Sequence, residues 1–352
     1  MAYTFLWIDG FDEISSIDQK YSRNAEVSPD INPPVTSNTP FNYGRAHQLS
    51  RSGAELILQK AITSGPYTVF FLGFHVFSSF TDTAERNFIQ FLDAQNNVVQ
   101  IELRRFWDSV LLKHVLRLYR GSTLLGTTSD GITQNGWTWL SVKYVCSQTN
   151  GVVEVKLNNA TVLTYNGNTQ NGAANQVHRP LIRSGATGGG YSFNGDFNID
   201  NLVIATGLAA DPPLPECRIF GAVVPTSNFN VQFTPNAGTN WSNVNEIGPN
   251  DDTSYNSSNT VGATDVFVCN PPTLTGVIPA VKINFRARKD DAGVREIAPI
   301  IRPGTTNHQG AAIEITSNYF NRGHIWQTNP DTGQAWNPGD IANLRFGYRI
   351  VT

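Results

Sequence analysis

The chain has 352 residues, a formal net charge of -3 and only 15% charged residues, with 30 glycines and 19 prolines. That length accommodates two domains that each bury a core, and the charge excludes a global basic field for gripping nucleic acid. Few charges beside many Gly, Asn, Thr and Ser residues suit strands joined by tight turns, so an all-β protein is expected. The cysteines Cys146, Cys217 and Cys269 are odd in number and contain no CxxC pair. They fit free thiols made in a reducing compartment better than a disulfide framework. No stretch approaches the ~20 apolar residues of a membrane span, and Asp9 interrupts the first apolar run before it reaches signal length. Cytoplasmic synthesis and no membrane partner are therefore expected.

In chain order, Tyr67–Phe77 is apolar on both faces, as in a strand covered on both sides. Asn87–Leu92 and a return with Val99, Ile101 and Leu103 inward read as a hairpin. Asp108–Tyr119 has apolar spacing that fits helix or strand, with strand preferred. Trp137 and Trp139, separated by Thr138, point the same way and read as core or interface residues. Val153, Val155 and Leu157 alternate with Glu154 and Lys156, Asn158-Asn159 makes a turn, and Val162–Tyr165 returns as the partner strand. Pro212, Pro213 and Pro215 cannot sit inside a sheet and predict a stiff connector. Domains are accordingly expected at 1–208 and 216–352, with a linker at 209–215. In the second, Val281, Ile283, Phe285 and Ala287 alternate with Lys282, Asn284, Arg286 and Arg288. Phe346, Tyr348 and Ile350 alternate with Arg345 and Arg349 in the same way. The expected fold class is all-β, two tandem β-sandwich (jelly-roll-like) domains.

Local motifs for chemistry are scarce. GxSxG, HExxH, Walker and dinucleotide fingerprints are absent, and Gly188-Gly189-Gly190 lacks the strand-to-helix context of a phosphate cradle. The six histidines are scattered singly, and His75 in its apolar run reads as a satisfied core residue. Two acids across a sugar bond would suit a sandwich glycosidase. The candidates are Asp9, Asp12 and Glu13, then Asp251-Asp252 and Asp290-Asp291, but no Glu-x-Asp-x-x-Glu strand occurs. Asn329-Pro-Asp-Thr-Gly333 places oxygen ligands at alternate positions before a glycine, so Asn329 and Asp331 are the metal-ligand candidates, for calcium. A plain turn is preferred there, because the further acids and the closing Glu are missing. Trp326 and Trp336 flank that turn and are the candidate glycan or interface aromatics. No catalytic residue and no cofactor are assigned.

Two sets of motifs carry a resemblance. Trp7-Ile-Asp-Gly-Phe-Asp12 and the closing Phe193-Asn-Gly-Asp-Phe-Asn-Ile-Asp-Asn-Leu-Val-Ile204 resemble the frame of lectin-like (concanavalin A/laminin G type) jelly-roll domains. Phe233–Trp241, Asn250–Tyr255, Ala287–Arg295 and Trp326–Trp336, in that order, look like the C-terminal half of tailed-bacteriophage virion structural proteins. The resemblance implies a non-enzymatic virion component made in the bacterial cytoplasm, associated with tail, baseplate or fibre. Its partners would be other virion proteins, further copies of itself as a trimer, and a host-surface glycan, with no nucleic acid. A capsid decoration (cement) protein and a carbohydrate-binding adhesion module are the alternatives, and a polysaccharide depolymerase is the least supported.

Overall fold

A computed structural model describes residues 3–11, 47–48, 50–51, 54–55, 57–59, 65–79, 83–93, 98–183, 197–221 and 223–352. The described residues divide into two compact units, the first running to Ile219 and the second from Phe220. Both are built of antiparallel strands, so the all-β sandwich expectation holds.

The first unit contains β1 (Thr4–Asp9), β2 (His47–Gln48), β3 (Ser50–Arg51), β4 (Ala54–Glu55), β5 (Ile57–Gln59), β6 (Val69–Ser78), β7 (Arg86–Leu92) and β8 (Val99–Asp108). It continues with β9 (Lys113–Arg120), β10 (Thr123–Thr133), β11 (Trp137–Val145), β12 (Gly151–Leu157), β13 (Ala160–Gly167), β14 (Arg179–Arg183) and β15 (Phe197–Thr206). One sheet runs β1-β15-β6-β11-β12-β13 with β2 on β15, and the facing sheet runs β10-β9-β8-β7-β14-β5. The ambiguous stretch 108–119 is strand: it ends β8, turns, and forms β9 in register with it, Phe106 opposite Val115 and Arg104 opposite Arg117. Asn158 and Asn159 both take left-handed backbone (φ 48° and 68°), the geometry of a tight hairpin turn between β12 and β13.

The core between the sheets is aromatic. From β6, Phe70 meets Phe91 at 5.7 Å and Phe74 meets Phe88 at 6.0 Å, both edge to face. The opposite face of β6 is buried too, which explains its unbroken apolar sequence. There Trp139 stands across from His75, and Phe71, Val203 and Ala205 extend the patch. Gly73 is required beneath the indole: a Cβ there would lie 2.6 Å from the Trp139 ring. The cover over this second patch is the proline-rich stretch itself. Leu214 packs on Trp139, with Cys217 and Ile219 beside it. The prolines cannot donate to a ladder, but carbonyls from the same stretch accept: Trp139 Nε1 donates to Leu214 O (3.4 Å) and the Tyr3 hydroxyl to Pro212 O (2.7 Å). Farther along, Ile219 N donates to Asn201 Oδ1 at 2.6 Å, and Glu216 Oε1 lies 3.1 Å from His75 Nε2. Residues 209–215, expected as a spacer, thus belong to a strap packed on the first unit.

The second unit contains β16 (Pro225–Asn230), β17 (Thr234–Pro235), β18 (Asn256–Ser257), β19 (Thr264–Cys269), β20 (Val281–Ala287) and β21 (Arg295–Arg302). After them come β22 (His308–Gln309), β23 (Ile313–Ile315), β24 (Phe320–Trp326), the short helix α1 (Pro338–Ala342) and β25 (Arg345–Ile350). The main sheet runs β16-β19-β25-β21-β22 with β23 on β21, and β20 pairs with β24 as a separate ribbon. Ile283 and Trp326 of the ribbon pack with Ile301 of the sheet, Trp336, Ile341 and Leu344. A buried acid pins the other end. Asp265 accepts the Gln232 and Phe233 N–H groups (2.7 and 2.9 Å), the Asn240 amide (3.0 Å) and the Tyr348 hydroxyl (3.4 Å).

Two outcomes follow from these buried polar groups. Asp265→Ala orphans several donors at once and is expected to cost about 3 kcal/mol of stability, with Asp265→Asn losing less; urea unfolding checks it. Burial holds the His75 imidazole below the ordinary histidine range, against the raising effect of Glu216. As pH falls below about 6.5 the unfolded chain takes the proton first, so stability declines on acidification through the folded value. His75→Gln is expected to flatten this decline in urea midpoints measured near neutrality and at about pH 5.5.

Candidate functional site

The strap covers the outer side of β6 and β11, and the outer side of the facing sheet, along β7, β8 and β9, carries polar side chains. Period-two alternation sends Ile101 and Leu103 into the core and their neighbours Glu102 and Arg104 outward. Register aligns these across strands: Gln90 opposite Glu102 opposite Tyr119, and Asn87 opposite Arg104 opposite Arg117. The result is two adjacent rows of planar polar side chains.

The rows are bonded into one network. Arg183 on β14 donates to Gln90 Oε1 at 2.9 Å, and Gln90 Nε2 donates to Glu102 Oε2 at 2.8 Å. Arg104 Nε donates to Glu102 Oε1 at 2.5 Å, and its Nη2 is also paired with that oxygen. Glu85, just before β7, receives Arg117 Nη1 at 2.6 Å, the Tyr119 hydroxyl at 3.2 Å and Arg104 Nη1 at 3.3 Å. Each guanidinium also lies over a ring, Arg104 4.1 Å from the centre of Tyr119 and Arg117 4.3 Å from that of Phe106. Glu102 is nearly buried, with 8% of its side chain exposed, while Glu85, Arg104 and Arg117 keep 22%, 30% and 33%.

The electrostatics follow from that geometry. Partial burial would raise the Glu85 carboxyl, but hydrogen bonds from Arg117, Tyr119 and Arg104 outweigh it and hold Glu85 below the usual carboxylate range. Arg104 is raised: the pull of Glu102 and Glu85 overcomes its partial desolvation. The Tyr119 phenol is pushed up by burial and by its bond to Glu85. Glu85 is thus held as the carboxylate, and its hydrogen bonds tie Arg104, Arg117 and Tyr119 to one point.

The residues singled out from sequence lie elsewhere. Trp326 and Trp336 are core residues, 8% and 3% exposed, and the Trp336 indole donates to Trp326 O at 2.8 Å. Neither ring offers a free face to a sugar. Asn329 Oδ1 accepts the Asp331 N–H at 2.9 Å within the turn, while Asp331 Oδ1 lies 2.5 Å from His308 Nε2 on β22, so both calcium-loop candidates are engaged by protein partners. Among the described residues no group of three or more His, Cys, Asp or Glu could hold a metal ion.

The acids are likewise dispersed. Asp9 accepts the Phe11 N–H, Asp251 and Asp252 pair with Arg286 and Arg288, and Asp291 pairs with Arg295. Asp12, Glu13 and Gly188–Gly190 lie outside the described residues. All three cysteines are free, and burial pushes the Cys217 and Cys269 thiols up to about 11. Sequence reasoning missed the outer-face network because its members come one or two from each of several strands. The signal available was the polar alternation of Glu102 and Arg104 between inward-facing Ile101, Leu103 and Arg105.

No family model matches the chain, and no curated protein matches it. Among solved structures it is similar to an endo-β-1,4-glucuronan lyase from the fungus Trichoderma reesei, with 13% identity and a TM-score of 0.41 over 58% of this chain and 96% of that one. An alginate lyase gives 12% identity and a TM-score of 0.35 over 54% and 95%. A legume lectin-like domain from Entamoeba histolytica gives 9% identity and a TM-score of 0.35 over 53% and 90%. A sialidase also matches, with 11% identity and a TM-score of 0.33 over 46% of this chain, which spans 15% of that protein. At these identities the likeness concerns the fold, the lectin-like β-sandwich. The neighbours are named as polysaccharide lyases, a sialidase and carbohydrate-binding proteins, not as virion components. The expectation of a non-enzymatic virion structural protein is corrected accordingly, and with it the expectation that the chain is no enzyme. On a sheet face, neighbouring side chains come from different strands and leave no short string in the sequence.

Proposed function

We propose that the first unit is a carbohydrate-binding β-sandwich that takes its ligand on the outer face of the β5-β14-β7-β8-β9-β10 sheet. The observation that carries this is the fixed network of Arg183, Gln90, Glu102, Arg104, Glu85, Arg117 and Tyr119. Sugar hydroxyls are both donors and acceptors and are recognised by planar side chains that present both in set positions. Here guanidinium, amide and carboxylate groups alternate along two rows, with the half-buried rings of Phe106 and Tyr119 among them. Mutual ion pairing has already restricted the long arginine side chains, so little further entropy is lost when a ligand arrives. Mixed charge argues against nucleic acid, which requires a basic stripe.

The test uses the full chain in affinity electrophoresis and calorimetry against a panel of neutral and acidic polysaccharides, with product release monitored in the same samples. Arg104→Ala is expected to weaken binding about tenfold or more, from the loss of charge-assisted hydrogen bonds. Arg288→Ala on the second unit should leave it unchanged. Equal binding by wild type and Arg104→Ala, or no binding to any polysaccharide, would overturn the proposal. Depolymerisation that Arg104→Ala abolishes would make the same face catalytic.

A further inference from the structure

Within the outer face, one acid differs in origin from the rest. Gln90, Glu102, Arg104, Arg117 and Tyr119 belong to strands, whereas Glu85 precedes β7 and brings its carboxylate to them from outside the sheet. Three donors from two strands converge on that single group: Arg104 Nη1 and Arg117 Nη1 from the two guanidiniums, and the Tyr119 hydroxyl. Two forks and a phenol aimed at one carboxylate make a seat specific for a planar anion.

The seat does not depend on Glu85 for its form. Arg104 is bound to Glu102 on its own strand, Glu102 is bound to Gln90, and Arg117 rests over Phe106. Without Glu85 the face would hold Arg104 and Arg117 against Glu102 alone, and Arg117 would lose the acid with which it is paired. That arrangement is a preorganised cationic site in which each arginine side chain already keeps about a third of its surface exposed, 30% for Arg104 and 33% for Arg117.

We propose that Glu85 occupies, as an internal competitor, the place of a sugar carboxylate, so that the ligands of this face are uronic-acid-containing glycans. The proposal rests on the carbohydrate-binding reading above and adds to it the ligand class and the seat. An incoming uronate would take the bonds from Arg104, Arg117 and Tyr119 that Glu85 now takes. Wild-type affinity for the acid would be held down by this competition, and removing the competitor's charge would release it.

The experiment measures calorimetric binding of oligogalacturonate, oligomannuronate and oligoglucuronate, each as free acid and as methyl ester, to the full-length wild type, Glu85→Gln and Glu85→Gln/Arg117→Ala. Circular dichroism and thermal melting confirm that each variant is folded, and Glu85→Ala serves as a second removal of the charge. The expected result is that Glu85→Gln binds at least one free acid about tenfold more tightly than wild type. Its binding of the corresponding ester should be unchanged, and Arg117→Ala should erase the gain. Equal gains for acid and ester, or no gain for any acid, would overturn the proposal. If neutral polysaccharides still bind in an Arg104-dependent way in that case, the carbohydrate-binding reading stands without it; if nothing binds, both fall.

Discussion

The contact on which the first unit turns is that of Trp139 with the strap. Its indole lies on Gly73 and His75, is covered by Leu214 and donates its N–H to that residue's carbonyl. Burying an aromatic side chain of this size contributes a few kcal/mol. The strap covers the outer side of this sheet at β6, β11 and β15, while Glu154 and Lys156 on β12 stay half-exposed. The polar rows lie on the outer side of the opposite sheet.

That division explains why the same strand geometry gives a dry layer on one sheet and a charged one on the other. On β6 both alternating sets are apolar or engaged beneath the strap, so no room is left for a charge save the His75–Glu216 pair. On β8 and β9 the outward set includes Glu102, Arg104, Arg117 and Tyr119, of which the two arginines keep about a third of their side chains exposed, 30% and 33%. Individually such pairs contribute little to stability at a surface. Their significance is positional: they keep long, flexible side chains in one arrangement, which is the property a recognition surface requires.

Much of the fold was legible in the residues. The double-sided run at Tyr67–Phe77, the alternation in Gly151–Leu157, the Asn158-Asn159 turn and the Arg-flanked strands of the second unit all correspond to observed elements. The role of Pro212–Pro215 was not legible, because proline reports only that a segment is outside a ladder, not whether it is packed on one. Trp326 and Trp336 illustrate a related limit of sequence: an aromatic beside a turn is equally compatible with the surface and the core, and only packing with Ile283, Ile301 and Leu344 decides it. The candidate site was least visible of all. Arg117 and Tyr119 lay in the stretch of ambiguous periodicity, and Glu85 acquires meaning only through a register between β8 and β9 that no local pattern encodes.

The placement of β25 bears on how the second unit comes into being. This strand, the latest in sequence, lies between β19 and β21 in the middle of the main sheet, and its Tyr348 reaches the Asp265 pin. During synthesis β19 and β21 therefore have no shared neighbour until β25 has left the ribosome. Until then β19 and β21 each present one unpaired edge, and Arg295 and Arg302 at the two ends of β21 discourage wrong pairing there.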